Sequence, residues 1–304
     1  MFSPGSHPNI ALPHPTTGLP AALDPTLGLR GDYRRMRADY VTEQDWEGYT
    51  GAEHDLWRQL YARQVVVAKR YAADAFLTGL SRLQMPQDRV PRFDETSDRL
   101  QALTGWRIVA VPGLIPEDAF FLHLAKRQFP VTVWLRRPDE IDYLVEPDVF
   151  HDFFGHVPLL TQPVFADYLQ EYGRKGQEAI QLGTTRMLTR LFWYMVEFGL
   201  IRGSDGIKAY GAGMLSSATE TAFSIDSRQP HRLKFNLARV MRTDYRIDSF
   251  QQSYFVIDNF TELFEAMQQP FAPIYADLHG EDIIPASGLI SSDVVLQVGQ
   301  QTLA

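Results

Sequence analysis

The stretch EPDVFHDFFGHVPLL, residues 146–160, sets two histidines, His151 and His156, among phenylalanines and acids. An imidazole buried among phenylalanines is costly unless its nitrogens find partners. Pro147 stops any preceding helix, Asp148 is a good N-cap, and VFHDFFG then makes about two turns that Gly155 can end. On a regular α-helix a spacing of five sets two side chains about 140° apart. They do not share a face as the two histidines of HExxH do. They converge only if the chain bends at the second histidine, which Gly155 permits. The spacing therefore allows two ligands on one metal without requiring them. Two histidines satisfied by backbone carbonyls are the plain alternative.

A carboxylate is the third clue. Glu197 lies within LFWYMVEFGLI, the most apolar segment of the chain, on an expected helix. With Arg190 and Trp193 seven and four residues earlier, it either lies half-exposed against Arg190 or points inward. An isolated buried carboxylate costs several kcal/mol, so an inward Glu197 needs a cation. Two histidines and one carboxylate match the ligand set of non-haem Fe(II) oxygenases, with open positions for O2. Zn(II) on the same ligands would make a hydrolase. Composition does not separate the two metals.

The elements that must carry these residues are mainly helical. In TGAEHDLWRQLYARQ, Thr50 and Glu53 form a capping box, and Leu56, Trp57, Leu60 and Tyr61 follow at helical spacing. Further helices are expected over Ala73–Leu83 and over Asp94–Leu103, the latter stopped by Gly105. PEDAFFLHLAKR reads as a helix with Pro116 in its first turn. RIVAVPG and FPVTVWLR read as short strands, the second alternating Val131, Val133 and Leu135. QPVFADYLQEYGRKGQ is helical, and TTRMLTRLFWYMVEFGLIRG predicts one long helix closed near Gly203. KAYGAGMLSSATE breaks the pattern, DYRID and SYFVIDN predict a strand pair, and FTELFEAMQQP a helix ended by Pro270.

The expected class is mostly α (α+β): a single helical domain with a few short strands. Residues 1–39 are expected to be a flexible arm, since six prolines fall in the first 25 residues. The folded domain is expected over residues 40–270, with residues 271–304 as a poorly patterned tail. The 304 residues carry 45% hydrophobic and 12% aromatic content, enough for a substantial core. A net charge of −8 without a basic cluster argues against nucleic acid or an anionic membrane as partner. The absence of cysteine excludes disulfides, thiolate metal sites and a cysteine nucleophile, and fits a cytoplasmic location. The first basic residue is Arg30, so a signal peptide is not expected, and no apolar run approaches a membrane span.

Three blocks, EPDVFHDFFGHVPLL, FWYMVEFGL and IKAYGAGMLSS, resemble the signature blocks of the pterin-dependent aromatic amino acid hydroxylases, most closely those of the bacterial phenylalanine hydroxylases. The resemblance spans roughly Gly105 to Phe264 with matching spacing. It implies the aromatic amino acid hydroxylase fold, Fe(II), a tetrahydropterin cosubstrate, O2, and conversion of phenylalanine to tyrosine. By resemblance, His151, His156 and Glu197 are the iron ligands. Phe120 is the aromatic that stacks on the pterin, Gly113 and Ile115 lie in the pterin loop, and Asp152 contacts pterin-bound water. Arg136 binds the amino acid carboxylate, oriented by Asp148. Ser216 helps fix the substrate, and Pro147, Trp193 and Phe198 wall the ring pocket. Each has a bland reading: a core phenylalanine, an acid drawn to a helix N-terminus, a surface arginine.

The chain departs from the animal enzymes at three positions. Leu144 stands for a threonine that contacts the amino acid, Phe192 for a tyrosine near the pterin, and Pro130 for a ring-pocket histidine. Iron binding is untouched by these changes, whereas fine substrate contacts are in question. The residues before Tyr40 are too few for a regulatory domain, and no C-terminal heptad is present, so an unregulated monomer is expected. Competing readings are tyrosine or tryptophan hydroxylation, a Zn hydrolase active without reductant or O2, and a binding protein with a structural metal.

Overall fold

The computed structural model describes residues 29–141, 144 and 146–300. Helix α1, Gly51–Tyr71, starts as its capping box requires: Thr50 Oγ1 accepts from the Glu53 N–H, and the Glu53 carboxylate accepts from the Thr50 N–H. Its buried face carries Leu56, Trp57, Leu60, Tyr61, Gln64, Ala68 and Tyr71, the 3.6-residue stripe of a helix that packs on one side. Helix α2, Asp74–Arg82, and α3, Phe93–Thr104, follow, and α3 closes on Gly105 in the left-handed conformation.

Strand β1, Arg107–Val111, pairs in parallel with β2, Gln128–Thr132, and α4, Glu117–Ala125, makes the crossover that a parallel pair needs. Pro116 stands one place earlier than expected, as the cap before α4. Both strands therefore end at the same edge. The Pro112–Ile115 loop leaves β1 there, and Val133–Arg136 leaves β2. Loops beyond the carboxyl ends of parallel strands are where α/β folds place ligand sites.

Helix α5, Pro163–Leu182, lies against α4 and leads to α6, Thr185–Phe192. The single long helix expected through Gly203 is instead three pieces. Helix α6 is followed by a π-helical turn, Trp193–Glu197, and then by β3, Leu200–Gly203. Strand β3 forms a hairpin with β4, Gly206–Ala209. The segment expected to be irregular holds two short helices, α7, Ala212–Leu215, and α8, Ala218–Asp226. Strand β5, His231–Lys234, and α9, Leu237–Met241, precede β6, Ser253–Ile257. The expected DYRID strand is absent. SYFVI is the strand, and its partners are β3 and β5, both parallel to it. Its side chains are buried on both faces, which explains why no alternation marks it.

Helix α10, Phe260–Met267, ends before Pro270, but the chain does not become a tail there. Residues Phe271–Leu278 form α11 with Phe271 and Tyr275 buried, and Val295–Gln297 form β7, antiparallel to β5 at the edge of a sheet ordered β4-β3-β6-β5-β7. A buried ion pair, Arg239–Asp293, ties the last segment to α9 at 2.8 Å. Its residues come from distant parts of the chain, so no local periodicity announced them. At the other end, residues 1–28 lie outside the described residues. Residues 29–39 of the expected arm pack on the domain. Arg30 stacks over Trp134, Tyr33 donates to the Leu114 carbonyl, and the Asp39 carbonyl meets His123 Nε2 at 2.8 Å. Among the described residues no helix is long and apolar enough to cross a membrane.

Glu220, in the first turn of α8, is buried against β6 and accepts from Tyr254 Oη at 3.0 Å and from the Gln251 N–H at 3.1 Å. Burial pushes its carboxyl up to about 7, and these two hydrogen bonds only partly oppose the shift. The folded chain therefore holds this proton at pH values where the unfolded chain has lost it. Stability from this group is full below 4.5, its ordinary value, and is lost as pH rises through about 7. Glu220→Gln is expected to gain stability relative to the native chain between pH 5 and pH 8, by up to about 3 kcal/mol. Urea unfolding at both pH values reads this. A difference that stays constant would mean that Glu220 titrates as an ordinary surface acid.

Candidate active site

The two histidines meet because their helix is wound differently from the one the sequence suggests. Phe150–His156 is a π-helix. Closing each turn with an i→i+5 bond returns residues five apart to one face, where an α-helix would splay them. The imidazoles of His151 and His156 stand edge to face with centroids 5.2 Å apart. Asp148 supports the helix start, its Oδ1 accepting from the His151 N–H at 2.9 Å. Gly155 does not end the helix. It lets the helix approach α7, since a Cβ at 155 would lie 3.0 Å from the Ala212 carbonyl oxygen and 3.1 Å from its Cβ.

Glu197 reaches the same point from a second π-helix. The Phe198 N–H bonds the Trp193 carbonyl five residues back at 3.0 Å. Its carboxylate lies 3.2 Å from His156 Nε2 and 3.6 Å from His151 Nε2. Arg190, the alternative partner, donates to the Met241 carbonyl instead. The small residues after β4 are required here too, because a Cβ on Gly211 would lie 2.3 Å from the Glu197 carbonyl oxygen. The three sequence blocks thus converge, through two π-helices and α7.

Ser216 lies against the first histidine. Its Oγ is 2.9 Å from His151 Nδ1 and 2.9 Å from the Ala212 carbonyl. If the hydroxyl donates to the carbonyl, it accepts from Nδ1–H, which fixes the tautomer and leaves His151 Nε2 a lone pair aimed at Glu197. Burial holds the His151 pKa below its ordinary value, against the pull of the Glu197 charge. Burial also acts to lower His156, but the charge and hydrogen bond of Glu197 outweigh it and the net shift is upward. Burial would raise Glu197, and the two imidazoles bring it down.

These three side chains fit one metal ion. Ligand atoms each about 2.1 Å from a metal and at right angles to one another lie about 3 Å apart, close to the separations seen. A second carboxylate competes for the role: potential ligand atoms of His151, Asp152 and His156 also lie within 4.8 Å of one another. Asp152 is tied elsewhere, its Oδ2 accepting from the Thr132 N–H at 2.8 Å, and burial raises its pKa. Glu197 is the one that touches both Nε2 atoms.

Around this centre lie the other expected residues. Arg136 and Asp148 are a buried bidentate pair, Nε to Oδ2 at 2.8 Å and Nη2 to Oδ1 at 2.9 Å, with the Arg136 N–H also on Oδ2. Burial acts to raise Asp148, but Arg136 brings its pKa below the ordinary value. Phe120 is half-buried with the Phe192 ring edge-on at 5.5 Å. Gly113 is packed under Tyr33 Oη and Glu146 Oε1, and Ile115 is half-buried in the same loop. Trp193 stacks on Tyr245 at 4.5 Å and meets Phe198 at 4.9 Å. Pro147 and Leu144, just before Asp148 in the chain, are half-buried, and Pro130 is buried within β2. Sequence reasoning missed Phe129, whose ring lies 5.0 Å from that of His156, and Tyr245 and Gln251, which back Trp193. Phe129 opens the expected strand FPVTVWLR without any sign that it faces a histidine, and the other two lie some fifty residues beyond Trp193, so only the fold connects them.

Comparison with known proteins agrees with this arrangement. The model of the biopterin-dependent aromatic amino acid hydroxylase family matches residues 37–277. The chain belongs to that family. It is a pterin-dependent aromatic amino acid monooxygenase. Among curated relatives of this hydroxylase, phenylalanine-4-hydroxylase of Ralstonia nicotianae is 51% identical over 268 residues, covering 88% of this chain and 86% of that one. The Chromobacterium violaceum phenylalanine-4-hydroxylase is 51% identical over 263 residues, 86% and 89% of the two chains. The solved structure of C. violaceum phenylalanine hydroxylase with bound oxidised Fe(III) superposes with a TM-score of 0.84 at 52% identity, covering 86% of this chain and 95% of that one. Its cobalt-bound form gives 0.85 with the same identity and coverage. The aromatic amino acid hydroxylase fold expected from the sequence is the fold found.

Proposed function

We propose that this hydroxylase converts L-phenylalanine to L-tyrosine with O2 and a tetrahydropterin at an Fe(II) ion held by His151, His156 and Glu197. The observation that carries the site is the approach of the Glu197 carboxylate to within 3.6 Å of both His151 Nε2 and His156 Nε2. Relatives that share half of their residues with this chain and bear the phenylalanine hydroxylase name support the substrate. When bound, Fe(II) and the reduced pterin supply the electrons that let one oxygen atom of O2 enter the aromatic ring.

The chain's own part is to bind, orient and exclude water. Three protein ligands on one face of the ion leave positions open opposite them. Arg136 has committed Nε and one Nη2 bond to Asp148, so its remaining N–H groups take the substrate carboxylate while Asp148 keeps the guanidinium plane fixed. Trp193, Phe198 and Pro147 hold the ring in apolar surroundings. Phe120 would stack on the pterin, Gly113 and Ile115 in the loop beyond β1 would lie against it, and Asp152 would contact water bound to it.

The catalytic unit in this proposal includes residues 29–39 and 271–300, because both segments pack on the core. The proposal extends to a cytoplasmic monomer without nucleic-acid partners, the last supported by the net charge of −8. The test is a product assay with purified protein, Fe(II), a tetrahydropterin and each aromatic amino acid in turn. Tyrosine from phenylalanine, strictly dependent on O2 and pterin, is expected. A greater yield from tyrosine or tryptophan would move the substrate assignment, and turnover with Zn(II) in the absence of O2 would overturn the reaction class.

A further inference from the structure

Trp193 is held from two sides by groups remote from it in the chain. Its indole ring stacks on Tyr245, 4.5 Å between centroids and 21° between planes. Its Nε1–H donates to Gln251 Oε1 at 3.2 Å. Gln251 is 1% exposed, and all of its polar groups named here are engaged. The same Oε1 accepts from the Arg246 N–H at 3.3 Å, and Nε2 donates to the Arg246 carbonyl at 2.6 Å. The side chain thus pairs with the backbone of Arg246 as a strand edge would, and this pins the segment that begins with Tyr245. Its own N–H is fixed by Glu220, which Tyr254 holds in turn. Only an amide can accept twice on one atom and donate from the other in this place.

We infer that Gln251 is a positioning residue of the hydroxylation site: by accepting from the Trp193 indole N–H it fixes the plane of the Trp193 ring, and so the width of the slot that receives the substrate ring. The inference rests on the proposed role of Trp193 as a wall of that slot. Nothing in it involves contact between Gln251 and substrate, pterin or iron. The chemistry is that of a flat aromatic slot: a planar wall tilted by a lost edge bond admits a wider ring less selectively and holds a benzene ring less well.

The test compares Gln251→Met, Trp193→Phe and the double variant in the iron-loaded enzyme. Gln251→Met keeps length and volume but removes both the acceptor for the indole and the Nε2 donor to the Arg246 carbonyl, the second loss being the one that Gln251→Glu isolates. It is expected to raise the KM for phenylalanine about tenfold, the size one lost hydrogen bond to a buried donor allows. It should also lower the tyrosine formed per pterin oxidised and relax the preference for phenylalanine over tryptophan. The KM for pterin and the iron content should stay unchanged. In the Trp193→Phe background, which has no indole N–H, adding Gln251→Met is expected to change the phenylalanine KM less than twofold, an allowance within ordinary non-additivity. Gln251→Glu keeps an acceptor for the indole and loses the donor to Arg246, so it should lower the thermal midpoint while holding the phenylalanine KM within about threefold of native.

An equal effect of Gln251→Met in both backgrounds would overturn the inference and leave Gln251 a purely structural residue. So would a Gln251→Glu variant as impaired in phenylalanine binding as Gln251→Met, which also serves if the methionine variant fails to fold. If Trp193→Phe alone leaves the phenylalanine KM and ring preference unaltered, it is the wall assignment that fails, and the inference falls with it.

Discussion

His151→Ala, His156→Ala and Glu197→Ala are each expected to lose bound iron and to lower hydroxylation by more than about 100-fold, beyond the usual cost of losing only an outer partner of a ligand. Each removes one of the three proposed protein ligands. Glu197→Ala carries the sharpest information. It leaves His151 Nε2 and His156 Nε2 without the carboxylate now 3.6 and 3.2 Å away, whereas Asp152 stays bonded to the Thr132 N–H. Asp152→Ala is expected to retain iron near one per chain. Iron per chain and tyrosine formation, measured on all four variants, decide between the two carboxylates. Full iron in Glu197→Ala together with loss in Asp152→Ala would exchange their roles.

Arg136→Ala is expected to be nearly as damaging, by a different route. Removing one partner of a buried hydrogen-bonded charge pair costs about 2–5 kcal/mol, which is roughly 30-fold or more in substrate affinity when the lost partner is the substrate's. Here the arginine has two anions to serve. Asp148 is fully buried and takes both Nε and Nη2, so the alanine variant also leaves a carboxylate unpaired in the interior. Arg136→Lys separates the two effects in part: the charge beside Asp148 remains, while the planar fork is lost. The KM for phenylalanine should rise strongly in both variants, with iron content and pterin KM little changed, and stability should fall further in the alanine variant. Arg137→Ala is the control. Its side chain is 65% exposed and pairs, among the described residues, with Asp139 and with Glu140, which Arg30 also holds, so it should be near neutral. Equal behaviour at 136 and 137, or unaltered phenylalanine saturation in Arg136→Ala, would remove Arg136 from the substrate site.

Why the carboxylate of the substrate should meet Arg136 at this place follows from the β1-α4-β2 unit. The loop beyond β1 carries Gly113 and Ile115, and the loop beyond β2 carries Arg136. The crossover helix between them carries Phe120. A parallel pair sends both loops to one edge, and the two π-helices arrive at the same edge. The elements that carry these residues are therefore brought to one end of the strand pair, although they are spread over some hundred positions of the chain.

Where local physics decides, the sequence was a sufficient guide. Thr50 and Glu53 cap α1 because a hydroxyl and a carboxylate three residues apart satisfy each other's backbone donors wherever they occur. Gly105 stops α3 because the left-handed turn there suits a residue without a Cβ. Residue types raised the candidate metal set and the resemblance of three blocks selected it, because a spacing of five allows two ligands on one metal without requiring them. What the tertiary structure decided is how they meet. Phe150, Phe153 and Phe154 are buried in the core from one short stretch, and Gly155 lets that stretch lie against α7. No local propensity distinguishes an i→i+4 ladder from an i→i+5 ladder, so the winding that brings His151 and His156 together cannot be read from a spacing of five. The same limit hid β3 at the end of an apolar helical run and β5, whose HRLK carries no apolar alternation; β6 was expected as a strand, but not its pairing with β3 and β5. It hid Gln251 most completely, because a side chain that works by reaching a tryptophan 58 residues away leaves no periodic trace in its own neighbourhood.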